Sequence, residues 1–262
     1  MFRALKTSAL GMTAQQLNVD VIANNLANVN TTGFKKSSIE FQDLLYETAQ
    51  AGSEISQQGF EKPSSVQVGL GNRPISTFRS FSQGNVSQTD NPLDVAISGK
   101  GFFQVLKPDG TVMYTRDGAF KINASGNLVT NSGLRVFPEI TVSQSAVRLS
   151  IGQDGMVYAE YAGNVEAEEL GQIELAGFMN PAGLRAVGGN LYEATEASGD
   201  PISEVPGADD MGLLLQGHLE KSNVDVAQEM IDLIVAQRAF EVNTKAIKTA
   251  DEMLAMTNNL KR

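Results

Sequence analysis

The two ends of this chain are built on a seven-residue apolar interval, and the middle is not. Between Asn223 and Arg262, Val226, Leu233, Phe240, Ile247 and Leu254 recur every seven positions, and Ala236 and Ala250 follow two of them by three residues. That spacing places all of them on one face of a helix. Near the N-terminus Leu5, Met12, Val19 and Leu26 keep the same interval, with Ile22 and Val29 on the same face. An apolar stripe stays exposed to water until a second surface covers it. The terminal segments are therefore expected to pair as a coiled coil.

The C-terminal segment carries more apolar surface than one partner helix can cover. Ala239, Val242, Ala246, Met253, Met256 and Leu260 form another strip, displaced around the helix from the first. About 37 residues of helix would be roughly 55 Å long at a rise of 1.5 Å per residue, so the segment is expected to project from any compact domain. Ordering each backbone costs about 1 to 2 kcal/mol, and burial of the stripe alone does not offset that over such a length. The termini are accordingly expected to be mobile in an isolated subunit and to become ordered when several copies pack together. The side chains expected at subunit contacts are Leu5, Met12, Val19, Ile22, Leu26, Val226, Leu233, Phe240, Ile247, Leu254, Met253 and Leu260.

Helix breakers draw the domain map. All eight prolines lie between Pro63 and Pro206, and no Gly or Pro follows Gly217. The first helix is predicted from about Phe2 to Ala27, dissolving in the Asn-rich run that ends at Gly33, because Asn and Gly tolerate left-handed backbone. Ser222-Asn223-Val224-Asp225 offers caps for the last helix, with Gln228 three residues after Asp225. Residues 66–220 read as all-β. Leu93–Ile97, Phe102–Leu106, Val112–Thr115, Val147–Ile151 and Gly171–Phe178 are β-rich runs, separated by turn sequences at Pro108-Asp109-Gly110, Ser125-Gly126-Asn127, Asp154-Gly155 and Asn180-Pro181-Ala182-Gly183. The expected class is α+β: terminal helices paired as a coiled coil, plus a central sandwich or partly closed barrel. The expected division is an assembly domain of residues 1–30 with 223–262, a connecting segment 31–71 with a polar insertion at 48–65, and a β domain at 72–222. The insertion reads as a linker, and an extended hairpin pressed against neighbours has the same composition.

Composition narrows the function classes. A formal charge of -10, from 20 Lys+Arg against 30 Asp+Glu, with no basic run beyond Lys35-Lys36, leaves no footprint for nucleic acid. No apolar run approaches a membrane span, and Thr7, Ser8, Gln15 and Gln16 interrupt any secretory signal core. The chain has no cysteine and one histidine, His218, so thiolate chemistry is excluded and a zinc site is disfavoured. No Gly-x-Ser-x-Gly elbow accompanies that histidine. Gly69-Leu70-Gly71 and Gly99-Lys100-Gly101 lack phosphate-loop spacing and read as turns. The Asp-Gly pairs lack the alternating acidic ligands of a calcium loop, and the adjacent pairs Glu168-Glu169 and Asp209-Asp210 read as solvated surface, not as glycosidase carboxylates. No catalytic residue, cofactor or metal is expected.

Several segments together resemble the axial proteins of the bacterial flagellum, which build its rod and hook. The resemblance rests on Ala23-Asn24-Asn25-Leu26-Ala27-Asn28 through Thr32-Gly33-Phe34-Lys35, and on Ser222-Asn223-Val224-Asp225 with Gln237-Arg238-Ala239-Phe240-Glu241. Between them, Ser82-Gln83-Gly84-Asn85-Val86, Asp94-Val95-Ala96-Ile97-Ser98-Gly99-Lys100-Gly101-Phe102-Phe103 and Tyr114-Thr115-Arg116-Asp117-Gly118-Ala119-Phe120 look like the same family. Length and the polar insertion are most similar to distal-rod members. The resemblance implies a structural subunit whose terminal helices pack, copy against copy, around a central channel. It further implies passage through the flagellar type III export apparatus without a cleavable signal. Implied partners are copies of itself, proximal rod subunits, hook-side axial subunits, and the P-ring and L-ring proteins between periplasm and outer membrane. The alternatives are a proximal rod or hook-type axial subunit and, in another class, a secreted binding protein on a coiled-coil stalk.

Overall fold

The structure is a computed structural model that describes residues 2–50, 66–143, 145–162, 167–208 and 211–259. It divides into two compact units, one of residues 1–26, 37–78 and 226–262, the other of residues 27–36 and 79–225.

The first unit contains the helices α1 (Phe2–Ala27) and α2 (Val226–Asn259). Neither Gly nor Pro interrupts the 34 residues of α2, and its Thr244, Thr249 and Thr257 hydroxyls bond the carbonyls four residues earlier. At 1.5 Å per residue α2 is roughly 51 Å long. α1 runs antiparallel to α2: the Asn25 amide donates to Glu229 Oε2 (3.1 Å), and farther along Thr244 Oγ1 stands 3.4 Å from Met12 Sδ.

In the same unit, β1 (Ser37–Asp43) and β2 (Tyr46–Gln50) lie alongside β3 (Val66–Gly69) and β4 (Asn72–Arg79). β2 pairs antiparallel with β3, Tyr46 opposite Gly69, and β1 pairs with β4. The Leu44 N–H to Gly71 C=O bond joins the two ladders. The predicted linker thus begins as a hairpin at its flanks; backbone pairing overrides its turn-rich composition there. Residues 51–65 of the insertion lie outside the described residues. Phe41, Leu45, Tyr46, Val66 and Ile75 are exposed on these arms. A two-stranded ribbon is marginal in water by itself.

The second unit is the β-rich one. It runs β5 (Val86–Gln88), β6 (Val95–Ser98), β7 (Phe102–Leu106), β8 (Val112–Thr115), β9 (Phe120–Ile122), β10 (Leu128–Thr130) and β11 (Arg135–Phe137). There follow β12 (Ala146–Ile151), β13 (Met156–Tyr161), β14 (Glu168–Gln172) and β15 (Leu175–Gly177). β16 (Arg185–Gly188), β17 (Leu191–Glu193), β18 (Ile202–Glu204), β19 (Leu213–Gln216) and β20 (His218–Glu220) complete it. Among the described residues the largest sheet has the order β16-β17-β8-β7-β11-β10-β9, with β15 pairing both β7 and β18. Its path is open at both ends. β12-β13-β14 form a separate sheet, and β19 pairs β6 as β20 pairs β5.

The single strand predicted over Gly171–Phe178 is two. Ile173 is fully buried, its N–H bonds Gly155 C=O, and the chain changes sheet at that point, β14 pairing β13 and β15 pairing β7. Val95, Phe103, Phe120, Val136, Val157 and Leu175 lie in one buried cluster, and Phe102, Tyr114, Leu184 and Tyr192 in a second. Each such side chain contributes about 1.5 to 3 kcal/mol by leaving water. His218 lies on β20 with Nδ1 2.8 Å from the Gln216 carbonyl oxygen.

Candidate assembly site

The helix pair separates the surfaces of α2. Its buried positions are Glu229, Ala236 and Ala250, and those of α1 are Ala14, Ile22 and Asn25. Small side chains permit close approach: a Cβ on Gly11 would stand 3.0 Å from the Asn243 amide nitrogen. Of the predicted contact residues, Ile22 is buried, while Leu5, Met12, Val19, Leu26, Leu233, Ile247 and Leu254 are half-buried. Val226, Phe240 and Met253 are exposed, and Leu260 lies outside the described residues. About a third of a turn around the helix from Ala236 and Ala250, Ile231, Val235, Val242 and Met256 are all exposed, Val242 at 64%. These fall at intervals that bring them to one face.

Asn25 and Glu229 are the polar pair that periodicity missed. The Asn25 amide also donates to the Ser37 carbonyl, and its Oδ1 accepts from the Ser37 N–H (both 2.9 Å), so one buried side chain ties the end of α1 to the start of β1 and to α2. Polar residues score against a core position in a hydrophobic pattern. The remaining signal is Asn25 in the Asn-rich helix end.

Inside the second unit, three stretches distant in sequence meet at a buried carboxylate. Glu220 Oε1 accepts from the Lys35 ammonium (2.6 Å) and from the Gly84 N–H (2.8 Å), and the Glu220 carbonyl accepts from the Gly33 N–H (2.9 Å). Lys35 also donates to the Ser82 carbonyl (2.7 Å). The Asn223 amide bonds Ser80 and Ser82 while its Oδ1 accepts from the Lys36 N–H, and the Ser80 N–H returns to the Lys36 carbonyl. These are the stretches 33–36, 80–84 and 220–223, which lie close to where the chain passes into and out of this unit.

Arg116 is the second cation of the cluster. Its Nη2 donates to Gly99 C=O (2.6 Å), Nη1 stands 3.8 Å from Glu220 Oε2, and the guanidinium lies over the Phe102 ring. Burial holds the Lys35 and Arg116 pKa values below their ordinary range, with Glu220 acting against that in both cases. Gly33 is required by the same crowding: it has φ +67°, and a Cβ would meet the Arg116 carbonyl carbon at 2.7 Å. A Cβ on Gly84 would collide with the Lys221 carbonyl. Beside them, burial pushes the Asp117 carboxyl up, against bonds from the Ala119 N–H and the Thr32 hydroxyl that favour its ionised form.

This geometry can hold segments together and present apolar faces. Among the described residues no group of three or more His, Cys, Asp or Glu is placed to hold a metal, and no helix is long and apolar enough to cross a membrane.

Family comparisons agree with that character. Residues 5–35 match the family described as flagella basal body rod protein, residues 96–159 the flagellar hook protein FlgE/F/G D1 domain, and residues 215–260 the flagellar basal body rod FlgEFG protein C-terminal. Together they define an axial subunit of the bacterial flagellum. The chain is 50% identical to the flagellar basal-body rod protein FlgG of Borreliella burgdorferi over the whole of both chains. It is 48% identical to that of Caulobacter vibrioides (99% of each chain) and 47% identical to that of Buchnera aphidicola subsp. Schizaphis graminum (99% of this chain, 100% of the relative). The chain belongs to the flagellar basal-body rod protein FlgG family, and is a structural rod subunit of the basal body, not an enzyme.

Proposed function

We propose that this chain is the subunit of the distal rod, self-assembling into a stiff helical tube that crosses the periplasm and outer membrane and transmits motor torque to the hook. The carrying observation is the outer face of α2, where Ile231, Val235, Val242 and Met256 stand exposed, flanking the strip that buries Ala236 and Ala250. A lone copy leaves that face in water; stacked copies cover it. Residues 1–30 with 223–262 form the assembly domain in this reading, α1 and α2 pair as a coiled coil, and Leu5, Met12, Val19, Ile22, Leu26, Val226, Leu233, Phe240, Ile247, Met253 and Leu254 pack within and between subunits. Residues 31–71 connect it to the β domain at 72–222. Head-to-tail contacts that do not close generate a filament, and torque transmission needs many such contacts in register.

The rod lies between proximal rod subunits and hook-side axial subunits, inside the P-ring and L-ring proteins. Each copy reaches it through the flagellar type III export apparatus. Electron microscopy of polymer grown from the purified full chain tests the reading. A straight tube with the helices lining its channel is expected, and discrete small oligomers under all polymerising conditions would overturn it.

A further inference from the structure

The chain has nine methionines and neither cysteine nor tryptophan, so thioethers are the side chains an oxidant attacks first. The fold sorts them by access. Met113 on β8 is 1% exposed, and Met12 is half-buried between the helices. Met253 and Met256, three residues apart near the end of α2, are 39% and 58% exposed. They stand on the face that carries Ile231, Val235 and Val242. Met253 follows Val242 by eleven residues, as Val242 follows Ile231, and eleven residues make close to three turns. Met230 is also exposed but lies about a third of a turn around the helix from that face. Met179, the most exposed of the described methionines, belongs to the second unit. Two oxidisable sulfurs therefore sit in the strip assigned to contacts between copies.

We infer that Met253 and Met256 are oxidation sites that make assembly redox-sensitive, their sulfoxides holding a subunit out of the polymer. The inference rests on the self-assembly reading above. The oxidant class is a hydroperoxide. A thioether lone pair attacks the outer peroxide oxygen, the O–O bond breaks as the S–O bond forms, and a proton shift releases water or an alcohol. Sulfur gives up two electrons and the peroxide takes them. A flexible apolar side chain becomes a polar one whose oxygen accepts hydrogen bonds. In a dilute subunit water supplies those bonds. Against the apolar face of a second copy nothing supplies them, and a polar group buried without a partner disfavours the contact. Assembly acts in the opposite sense: once the strip is covered, its sulfurs are withdrawn from the oxidant.

The test treats the full-length chain with hydrogen peroxide below its critical concentration, maps sulfoxides by mass spectrometry, and follows polymerisation by sedimentation after the peroxide is removed. Oxidation at Met253 and Met256 is expected to raise the critical concentration at least about tenfold, and reduction by methionine sulfoxide reductases to restore it. The double variant Met253→Leu/Met256→Leu is compared with itself, treated and untreated, so any change in its resting critical concentration drops out. Met179 and Met230 still oxidise in it, and the peroxide effect should shrink to less than about twofold. In preformed polymer of the parent chain the two sulfurs should oxidise at least about tenfold more slowly than in the dilute chain, a comparison that stands whether or not the double variant assembles. A critical concentration insensitive to peroxide, a shift that survives in the double variant, or equal oxidation in polymer and dilute chain overturns the redox inference alone. Untreated parent chain that forms no polymer overturns the self-assembly reading with it.

Discussion

The carboxylate of Glu220 faces two buried cations, and that asymmetry decides what each substitution does. Glu220→Gln leaves Lys35 and Arg116 in the interior with no anion, so a loss of about 3 to 5 kcal/mol in unfolding free energy is expected. Lys35→Met should cost less, because Arg116 remains 3.8 Å from the carboxylate; urea unfolding of the purified chain measures both. Asp117 gives a pH-dependent counterpart. Its folded pKa is raised by burial, so its contribution is fully present below the unfolded carboxyl pKa and is lost as pH rises through the folded one. Asp117→Asn keeps an oxygen for the Ala119 N–H without the charge. It should unfold at a higher temperature than the parent at neutral pH, and with a flatter pH dependence just above the ordinary carboxyl range. Little of this was legible in the sequence. Lys35-Lys36 reads only as the longest basic run, and the carboxylate that pairs with the buried Lys35 lies 185 residues away. The motifs around Gly33, Gly84 and Asn223 were recognisable as family marks, but their physical reason, a crowded junction with no space for a Cβ at two of its glycines, exists only once the three stretches meet.

At the level of elements, the helices were the readable part. The seven-residue interval and the Asn-rich stop placed α1 at Phe2–Ala27, the same bounds as in the structure, because local propensity and pattern agree there. Ala236 and Ala250, noted beside the stripe, are among the buried positions of α2, whereas Phe240 and Val226 on the stripe itself are exposed in a single copy. The inner and outer faces of α2 should therefore respond differently. Ala236→Leu overpacks the α1 contact and is expected to destabilise the chain by about 1 to 3 kcal/mol. Val242→Asp should leave monomer stability within about 0.5 kcal/mol of the parent and raise the critical concentration for polymerisation at least about tenfold. Sedimentation across a concentration series, paired with urea unfolding, separates the two. The strands were legible as runs but not as pairs. Periodicity marks Gly171–Phe178 as extended and is silent on the change of sheet at Ile173, which depends on a bond to Gly155 from another hairpin.

For the molecule as a whole, the division into helical ends and a β-rich middle followed from where Gly and Pro fall, while the sheet order did not, since β7 takes neighbours from three separate parts of the chain. The paired arms β1 to β4 expose apolar side chains on a two-stranded ribbon, an arrangement that gains from contact with neighbours. Deletion of residues 48–65 is accordingly expected to preserve assembly and to yield a more flexible, hook-like tube in electron micrographs; a straight, stiff rod would contradict that role. The central claim is that the exposed face of α2 is completed by other copies. Amide hydrogen exchange over residues 226–259, compared between dilute monomer and assembled polymer, tests it most directly. Rapid exchange in the monomer and strong protection in the polymer is the expected result, and equal, strong protection in both states would contradict it.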